Sequence, residues 1–427
     1  MKRIKPAEGN KTFCMAPWTH TYLSPQTERR MCCASREPAQ SFKQYIDTGN
    51  DAKEYKPLTL KEHWNSDHMR SVRLRMMAGE ELSECEVCDH KLLNTDVYRS
   101  YWNQLFKDKI DEAYESTDET GATTMPTISF DYRFNNLCNF KCRMCGPMLS
   151  SSWESEARKQ NTWSESSSPW MASPLREQIS NFQDKQIVGE FLQAIETKTI
   201  KEIYWCGGEP LMWEIHWEAM QRIIDLGFAD QVCVRYNTNL SRTSFKGMKL
   251  FDLLPHFQDW QICSSLDGTG EIGEYIRDGL VYDKWLQNFK EGLAIAKTPR
   301  EMRLDYTLTM PGMLELKNMF DLSRSLDTEI LTKVMFTFSN DEILSPLALP
   351  KDLLHTIIDE ALEYMEPIAT SKQRALLDVL KNLKRRETFI PTIAGKQRQE
   401  SIDRVRNQDI KKILAKDERV LKWWTSI

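Results

Sequence analysis

Between residues 128 and 338, six short β-rich runs alternate with helical stretches, and this alternation constrains the fold of the 427-residue chain more than any other feature. The runs are ISFDYRF (128–134), EIYW (202–205), VCVRYN (232–237), WQICSSL (260–266), RLDYTLT (303–309) and KVMFTF (333–338). Between them, WEIHWEAMQRIIDLG (213–227) and YDKWLQNFKEGLAIAK (282–297) repeat apolar residues at helical spacing. Repeated βα units predict an α/β fold whose parallel strands are joined by right-handed crossovers. Such a sheet either opens as a doubly wound layer or curls towards a barrel. Six units with cysteines after the first strand favour the curled form.

The flanking regions read differently. Residues 1–110 are rich in aromatic residues and cysteine but have few apolar periodicities, which predicts short loops and turns around something other than a conventional core. Residues 111–125, DEAYESTDETGATTM, carry five acids and no Lys or Arg, and Pro126 follows, so they read as an acidic linker to a domain spanning 126–340. Within that domain NTWSESSSPWMASP (161–174) is a Ser-rich insertion bearing Trp163 and Trp170, read as a surface loop or a mobile flap. Residues 341–427 form a helical C-terminal segment. Its part 371–427 holds fifteen Lys/Arg against seven Asp/Glu, a local balance of +8 in a chain of net charge −5. Those cations are spread over helical stretches, a solvated face rather than a nucleic-acid surface. Leu376, Leu377, Leu380 and Leu383 make the apolar stripe by which such a helix packs on a core.

Composition closes off several classes. With 28% charged and 41% hydrophobic residues, the chain is neither collagen-like nor disordered throughout. Eleven cysteines are too dilute for a small disulfide scaffold, but they are clustered: five precede residue 90, and three lie within eight positions from Cys138. Met1-Lys2-Arg3-Ile4-Lys5 is basic, yet Pro6-Ala7-Glu8-Gly9-Asn10 stands where a signal peptide needs an apolar stretch, and nowhere do eighteen apolar residues run together. A soluble, cytoplasmic protein with no membrane partner is expected, in a compartment where clustered thiols bind metal more often than they pair.

Cys138-Asn139-Phe140-Lys141-Cys142-Arg143-Met144-Cys145-Gly146-Pro147 is a C-x3-C-x2-C triplet directly after the first strand run. Three thiolates on one loop can hold three irons of a [4Fe–4S] cube and leave the fourth open to a small molecule. A zinc knob or three structural thiols would be the plainer readings, and neither accounts for the position at the C-terminal end of a strand.

The triplet resembles the signature of the radical S-adenosylmethionine (SAM) enzymes. Further segments, in order, are similar to that family's motifs over roughly residues 126–340. Tyr204-Trp205-Cys206-Gly207-Gly208-Glu209-Pro210 resembles its GGEP motif; two glycines allow close backbone approach, and Glu209 can accept from an ammonium group. Asn237-Thr238-Asn239 resembles its TNG stretch, with Leu240 in place of the glycine. Ser264-Ser265-Leu266-Asp267-Gly268 resembles a ribose-contacting segment, with Ser265 and Asp267 at the matching positions. Glu274-Tyr275-Ile276-Arg277-Asp278-Gly279 resembles a segment whose arginine pairs with the SAM carboxylate. Met144 stands where an aromatic residue is commoner, and Thr307-Leu308-Thr309-Met310-Pro311 matches the family poorly. The resemblance implies a partial (β/α)6 TIM-like barrel. It also implies a [4Fe–4S] cluster on Cys138, Cys142 and Cys145, with SAM bound by Gly207, Gly208, Glu209, Asn239, Ser265, Asp267 and Arg277.

The remaining clustered cysteines lie in Phe13-Cys14-Met15-Ala16-Pro17-Trp18, Arg30-Met31-Cys32-Cys33 and Glu84-Cys85-Glu86-Val87-Cys88-Asp89-His90. Cys85 and Cys88, with Cys14 and one of the doublet, make four thiols, a set that suits zinc and iron–sulfur alike. The block resembles the SPASM/twitch modules that hold an auxiliary [4Fe–4S] cluster, here preceding the barrel instead of following it. That resemblance implies Cys14, Cys32, Cys85 and Cys88 as ligands and Cys33 as a spare. Cys206, Cys233 and Cys263 read as small core residues.

The expected activity is reductive cleavage of SAM and hydrogen abstraction from a substrate. That substrate is a peptide or protein side chain, or alternatively a small polar metabolite such as a sugar or nucleotide. With no dinucleotide-binding fingerprint in the chain, a flavodoxin- or ferredoxin-like donor must supply electrons. A non-catalytic iron–sulfur or zinc module is the other class. Asp131, Arg133, Arg235 and Asp305, polar residues on strand runs, are substrate-side candidates or members of buried ion pairs.

Overall fold

The computed structural model describes residues 10–36, 49, 51, 54–89, 98–165, 168–335 and 342–427. Among the described residues twelve strands are formed: β1 (His20–Leu23), β2 (Arg29–Arg30), β3 (Ser129–Tyr132), β4 (Lys141–Cys142), β5 (Glu202–Trp205), β6 (Cys233–Thr238), β7 (Ser244–Phe245), β8 (Met248–Lys249), β9 (Asp259–Ser265), β10 (Arg277–Asp278), β11 (Met302–Leu308) and β12 (Ile330–Val334). Eight of them build a mostly parallel sheet in the order β12-β11-β9-β6-β5-β3-β1-β2. The other four form two antiparallel ribbons, β10 with β4 and β7 with β8. From β3 to β12 the strands lie side by side in chain order, without the reversal that marks a doubly wound sheet.

All six β-rich runs therefore yield strands, with small shifts at their ends. The last begins at Ile330, upstream of the expected Lys333, and Phe336, Thr337 and Phe338 lie outside the described residues, as do the basic N-terminal residues. The two expected helices occupy Glu214–Asp225 and Tyr282–Ile295. Among the described residues no helix is long and apolar enough to cross a membrane.

Contacts divide the chain into two compact units. The first comprises residues 1–137, 147–235 and 253–260. In it β1 pairs in parallel with β3, Tyr22 standing opposite Asp131, and β2 closes the edge antiparallel to β1. The expectation of loops without a conventional core over residues 1–110 is corrected here. Phe13, Met15, Trp18, Met69, Val72, Met76, Trp102 and Phe106 pack into a hydrophobic cluster. The helix Asp67–Met77 supplies Met69, Val72 and Met76 from one face, and Ser66 caps its start by accepting from the Met69 amide. Arg73 is buried beside them, its guanidinium donating to the carbonyls of Pro17 and Trp64 at 2.9 and 2.7 Å. The acidic stretch 111–125 contributes to the same cluster: Ala113 and Tyr114 on the helix Ile110–Glu115 are buried in it, as is Met125. The insertion 161–174 is packed as well. Trp170 and Met171 sit in a small core with Tyr55, Leu175 and Ile179, and the Arg158 guanidinium lies 5.2 Å from the ring of Trp163. Ser166 and Ser167 lie outside the described residues.

The second unit comprises residues 138–146, 236–252 and 261–427. Its C-terminal helices carry the expected stripe: Leu376, Leu377, Leu380 and Leu383 are all buried on the helix Arg374–Leu383. Several cations of the basic segment are matched by acids, Lys384 by Asp359, Lys381 by Glu366 and Arg419 by Glu360.

Candidate functional site

In the first unit, Cys14, Cys32, Cys85 and Cys88 line a single cavity together with Met31, Met76, Glu84, Tyr98 and Trp102. Short turns bring them there. Cys14 precedes the one-turn helix Ala16–Thr19, Cys32 follows β2, and Cys85 and Cys88 flank the junction of two consecutive short helices. Burial pushes the Cys14 thiol up to about 12, and Cys85 and Cys88 add to the rise. Burial likewise raises Cys32 well above the usual thiol range, with Cys33, Cys14 and Cys88 contributing. Burial and the neighbouring thiols both disfavour the thiolate form of Cys14 and Cys32, and a bound cation would favour it. His90 lies outside the described residues.

Cys33 faces a different environment. Its partner is the Tyr98 hydroxyl, and Asp131, Arg133 and Cys206 surround it. The geometry therefore separates the two members of the doublet, Cys32 towards the other three thiols and Cys33 towards the exit of β3. There Arg133 forms a 3.2 Å ion pair with Asp131 and stacks 4.8 Å from the ring of Tyr22. Arg235 is paired as well, its Nε donating to Glu202 at 2.6 Å, with Tyr101 and Tyr204 covering its guanidinium. Cys206, Cys233 and Cys263 are half-buried, not core residues. Strand alternation is the reason: on β6, Val234, Tyr236 and Thr238 are buried on one face, while Cys233, Arg235 and Asn237 take the other.

The GGEP segment also belongs to the first unit. Its glycines serve the approach of one backbone to another. A Cβ on Gly208 would stand 2.4 Å from the Leu137 carbonyl oxygen, and Gly207, at φ +139°, packs against the Arg133 side chain and Trp213. The Glu209 amide donates to that same Leu137 carbonyl at 2.7 Å. The Glu209 carboxylate is buried and accepts from the Leu211 amide at 3.1 Å, capping the turn Pro210–Met212.

In the second unit the triplet forms a tight loop. The Cys145 amide donates to the Cys142 carbonyl at 2.9 Å, and β4 pairs with β10 so that Cys142 stands opposite Arg277. Arg277 Nη1 lies 3.7 Å from Cys142 Sγ, and Arg277 Nε makes a 2.7 Å ion pair with Asp267. Asp267 Oδ1 accepts from the Thr307 amide at 2.8 Å. Asn239 Nδ2 reaches Asn139 at 3.0 Å and Cys138 Sγ at 3.9 Å. Leu240, standing where the resemblance has glycine, is fully buried at φ +51° and supplies its carbonyl to Asn288 Nδ2 at 2.8 Å. Ser265 ends β9 half-buried, in register with Asp305. Asp305 holds Lys333 at 2.8 Å and accepts from Asn237 at 3.0 Å.

Charge at this loop is finely opposed. Burial pushes the Cys142 thiol up to about 12, against the pull of the Arg277 guanidinium. Burial also raises the Asp267 carboxyl, while Arg277 lowers it. Burial works against the Arg277 charge, but Asp267 and Cys142 raise its pKa above the ordinary arginine value.

The structure thus gathers the four N-terminal thiols at one cavity, and Cys138, Cys142, Asn239, Asp267 and Arg277 around one loop. Among the described residues, no three His, Cys, Asp or Glu side chains stand at metal-holding spacing. By donor chemistry both sets fit a thiophilic metal centre, the N-terminal four suiting zinc or iron–sulfur and the triplet an incompletely ligated cluster. Arg143, inside the triplet, and Tyr98, beside Cys33, were not identified from the sequence. A lone arginine or tyrosine carries no spacing signal. No family model matches the chain, and no curated protein matches it.

Proposed function

We propose that the protein is a radical SAM enzyme whose six sequential strands curl into a partial (β/α)6 barrel, preceded by a twitch-like auxiliary-cluster module. The observation that carries this reading is the grouping of Cys138, Cys142, Asn239, Asp267 and Arg277 in one unit, residues from four separate motifs that share one loop environment. Leu240 adds weight, because its left-handed backbone is the conformation for which glycine is the usual choice.

Cys138, Cys142 and Cys145 would hold the first [4Fe–4S] cluster, and Cys14, Cys32, Cys85 and Cys88 the auxiliary one. When bound, the first cluster supplies an electron that cleaves SAM to methionine and a 5′-deoxyadenosyl radical. The protein's part is to bind and orient. Within the second unit, Arg277 would take the SAM carboxylate and Ser265 and Asp267 its ribose, with Asn239 beside Cys138. Asp267 holds the Arg277 fork at 2.7 Å, so the cation meets an incoming carboxylate already aligned. Electrons come from a flavodoxin- or ferredoxin-like donor, and the substrate is a peptide or protein side chain.

The test is anaerobic reconstitution followed by SAM and dithionite. Release of 5′-deoxyadenosine, abolished in Cys142→Ala, supports the proposal. A protein that carries both clusters yet releases none sinks it. Iron counting on Cys85→Ala decides between zinc and iron–sulfur at the N-terminal site, where loss of about four irons, one cubane, argues against zinc.

A further inference from the structure

Arg143 lies between two cysteines of the triplet, and its side chain is fully buried. Its amide donates to the Ile276 carbonyl at 2.8 Å, extending the β4–β10 pairing by one residue. The guanidinium carbon lies over Tyr275, 3.7 Å from the ring centroid. Nε donates to the Tyr275 carbonyl at 3.1 Å, Nη1 to Gln399 at 3.2 Å and Nη2 to Gln408 at 2.6 Å, and Nη2 also pairs with Asp403. Asp403 is itself fixed, accepting from the Tyr275 hydroxyl at 3.1 Å and from the Ile410 amide at 2.7 Å.

Gln399, Asp403 and Arg406 project from the helix Ile393–Arg406 at spacings of four and three, and so share one face. Asn407 ends that helix in the left-handed conformation, φ +53°, and the turn delivers Gln408 to Arg143. Arg406 completes the grip, donating from Nη1 to the Lys141 carbonyl at 2.8 Å and lying 3.2 Å from Asp278, which also holds Lys141 at 3.0 Å. Residues 141–143 are thus held by a helix that lies about 260 positions later in the chain. A buried guanidinium with its donors met by fixed acceptors has one favoured placement. The residues on both sides of it include two thiols.

We infer that the C-terminal helix Ile393–Arg406 and its cap position the cysteine loop, with Arg143, Asp403 and Gln408 as positioning residues for Cys142 and Cys145. The inference rests on the reading of the triplet as a cluster site. It assigns the C-terminal segment to the assembly of that site, not to an outside partner.

The test uses the full-length chain with Arg143→Ala, Arg143→Lys, Asp403→Asn and Gln408→Ala. Gln408→Ala, which removes one neutral acceptor, guards against loss of the whole fold. Amide exchange over residues 138–146 is measured without metal. After anaerobic reconstitution, the electron paramagnetic resonance of the reduced clusters and SAM affinity are recorded. Loss of a supporting partner lowers metal-site affinity on the order of 10–100-fold. A weakening of cluster retention in that range is expected for Arg143→Ala and Asp403→Asn, with weaker SAM binding, faster exchange over 138–146 and an altered loop-cluster signal. The auxiliary-cluster signal stays unchanged, Gln408→Ala gives a smaller effect in the same direction, and Arg143→Lys restores part of the loss. Unchanged exchange over 138–146 in Asp403→Asn and Gln408→Ala overturns the inference, as does an unchanged loop-cluster signal with wild-type SAM affinity. If the wild-type triplet takes up no iron, the proposed function falls, and the exchange measurement still decides whether the helix holds the loop.

Discussion

Replacing Gly208 by alanine tests the close approach on which the GGEP turn is built. The added Cβ would stand 2.4 Å from the Leu137 oxygen, 2.9 Å from the Asn136 carbonyl carbon and 3.0 Å from the Leu137 carbonyl carbon. All three obstacles are main-chain atoms, so no rotamer change relieves them, and the turn must retreat by about 1 Å to reach ordinary contact. Retreat breaks the 2.7 Å bond from the Glu209 amide to Leu137, in a place where Glu209 is buried. Stranding a buried amide costs about 1–3 kcal/mol. Overpacking adds about 1–3 kcal/mol. Gly208→Ala is therefore expected to lose about 2–6 kcal/mol in urea titration followed by tryptophan fluorescence. Gly189→Ala is the control: it lies on the helix Val188–Glu196 with nothing within 4 Å of its added Cβ. A helical glycine replaced by alanine in open space gains about 0.5–1 kcal/mol. Should Gly208→Ala unfold at the same urea concentration as wild type, the steric argument is wrong.

Three further outcomes are expected. Cys32→Ser lowers iron per chain after reconstitution while Cys33→Ser does not, because only Cys32 shares the cavity with Cys14, Cys85 and Cys88; equal losses would refute that assignment. Asp267→Asn leaves the Arg277 charge buried beside a neutral amide and is expected to cost about 3–5 kcal/mol, with part recovered in Asp267→Asn/Arg277→Gln; urea titration of the two variants checks the loss and its recovery. His216 is fully buried beside Trp205 and Trp217, and burial lowers its pKa from 6.5 to about 3. The unfolded chain binds that proton more readily, so stability is full above pH 6.5 and falls on the order of 1 kcal/mol per pH unit down towards pH 3. His216→Phe should flatten that slope in acid titrations of the melting midpoint, and an unchanged slope would show that other groups control it.

What could be read from the sequence was whatever repeats at short range. VCVRYN and WQICSSL alternate with period two, and the strands they form follow that alternation. The stripe Leu376, Leu377, Leu380 and Leu383 is equally local. The N-terminal core was hidden by charge: Met69, Val72 and Met76 are interleaved with Arg70, Arg73 and Arg75, and Arg73 is buried because main-chain carbonyls satisfy it. In 111–125 the acids conceal Ala113 and Tyr114, the two positions that pack inward from its helix. Cysteine spacing pointed to both thiol groups, since thiols are rare enough for position to carry information, but the choice of Cys32 over Cys33 came only from the resemblance. The C-terminal partners of Arg143, Gln399, Asp403 and Gln408, lie between 256 and 265 positions away, and even Tyr275 lies 132 away, beyond any local pattern.

The pairing of β1 with β3 joins residues made at very different times. His20 meets Ser129 across 109 positions, and Tyr22 meets Asp131 beside it. A ribosome adding about 5–20 residues per second leaves β1 without its parallel neighbour for roughly 5–20 s after it emerges. Through that interval one side of β1 offers unsatisfied amides and carbonyls, with only the two-residue β2 available on the other. The aromatic and methionine side chains of the N-terminal core can collapse meanwhile, but Met125 and Ile128, which complete that core, arrive just ahead of β3. Synthesis of this chain thus has a vulnerable window that closes when residue 132 clears the tunnel, the interval in which a holding chaperone has most to protect.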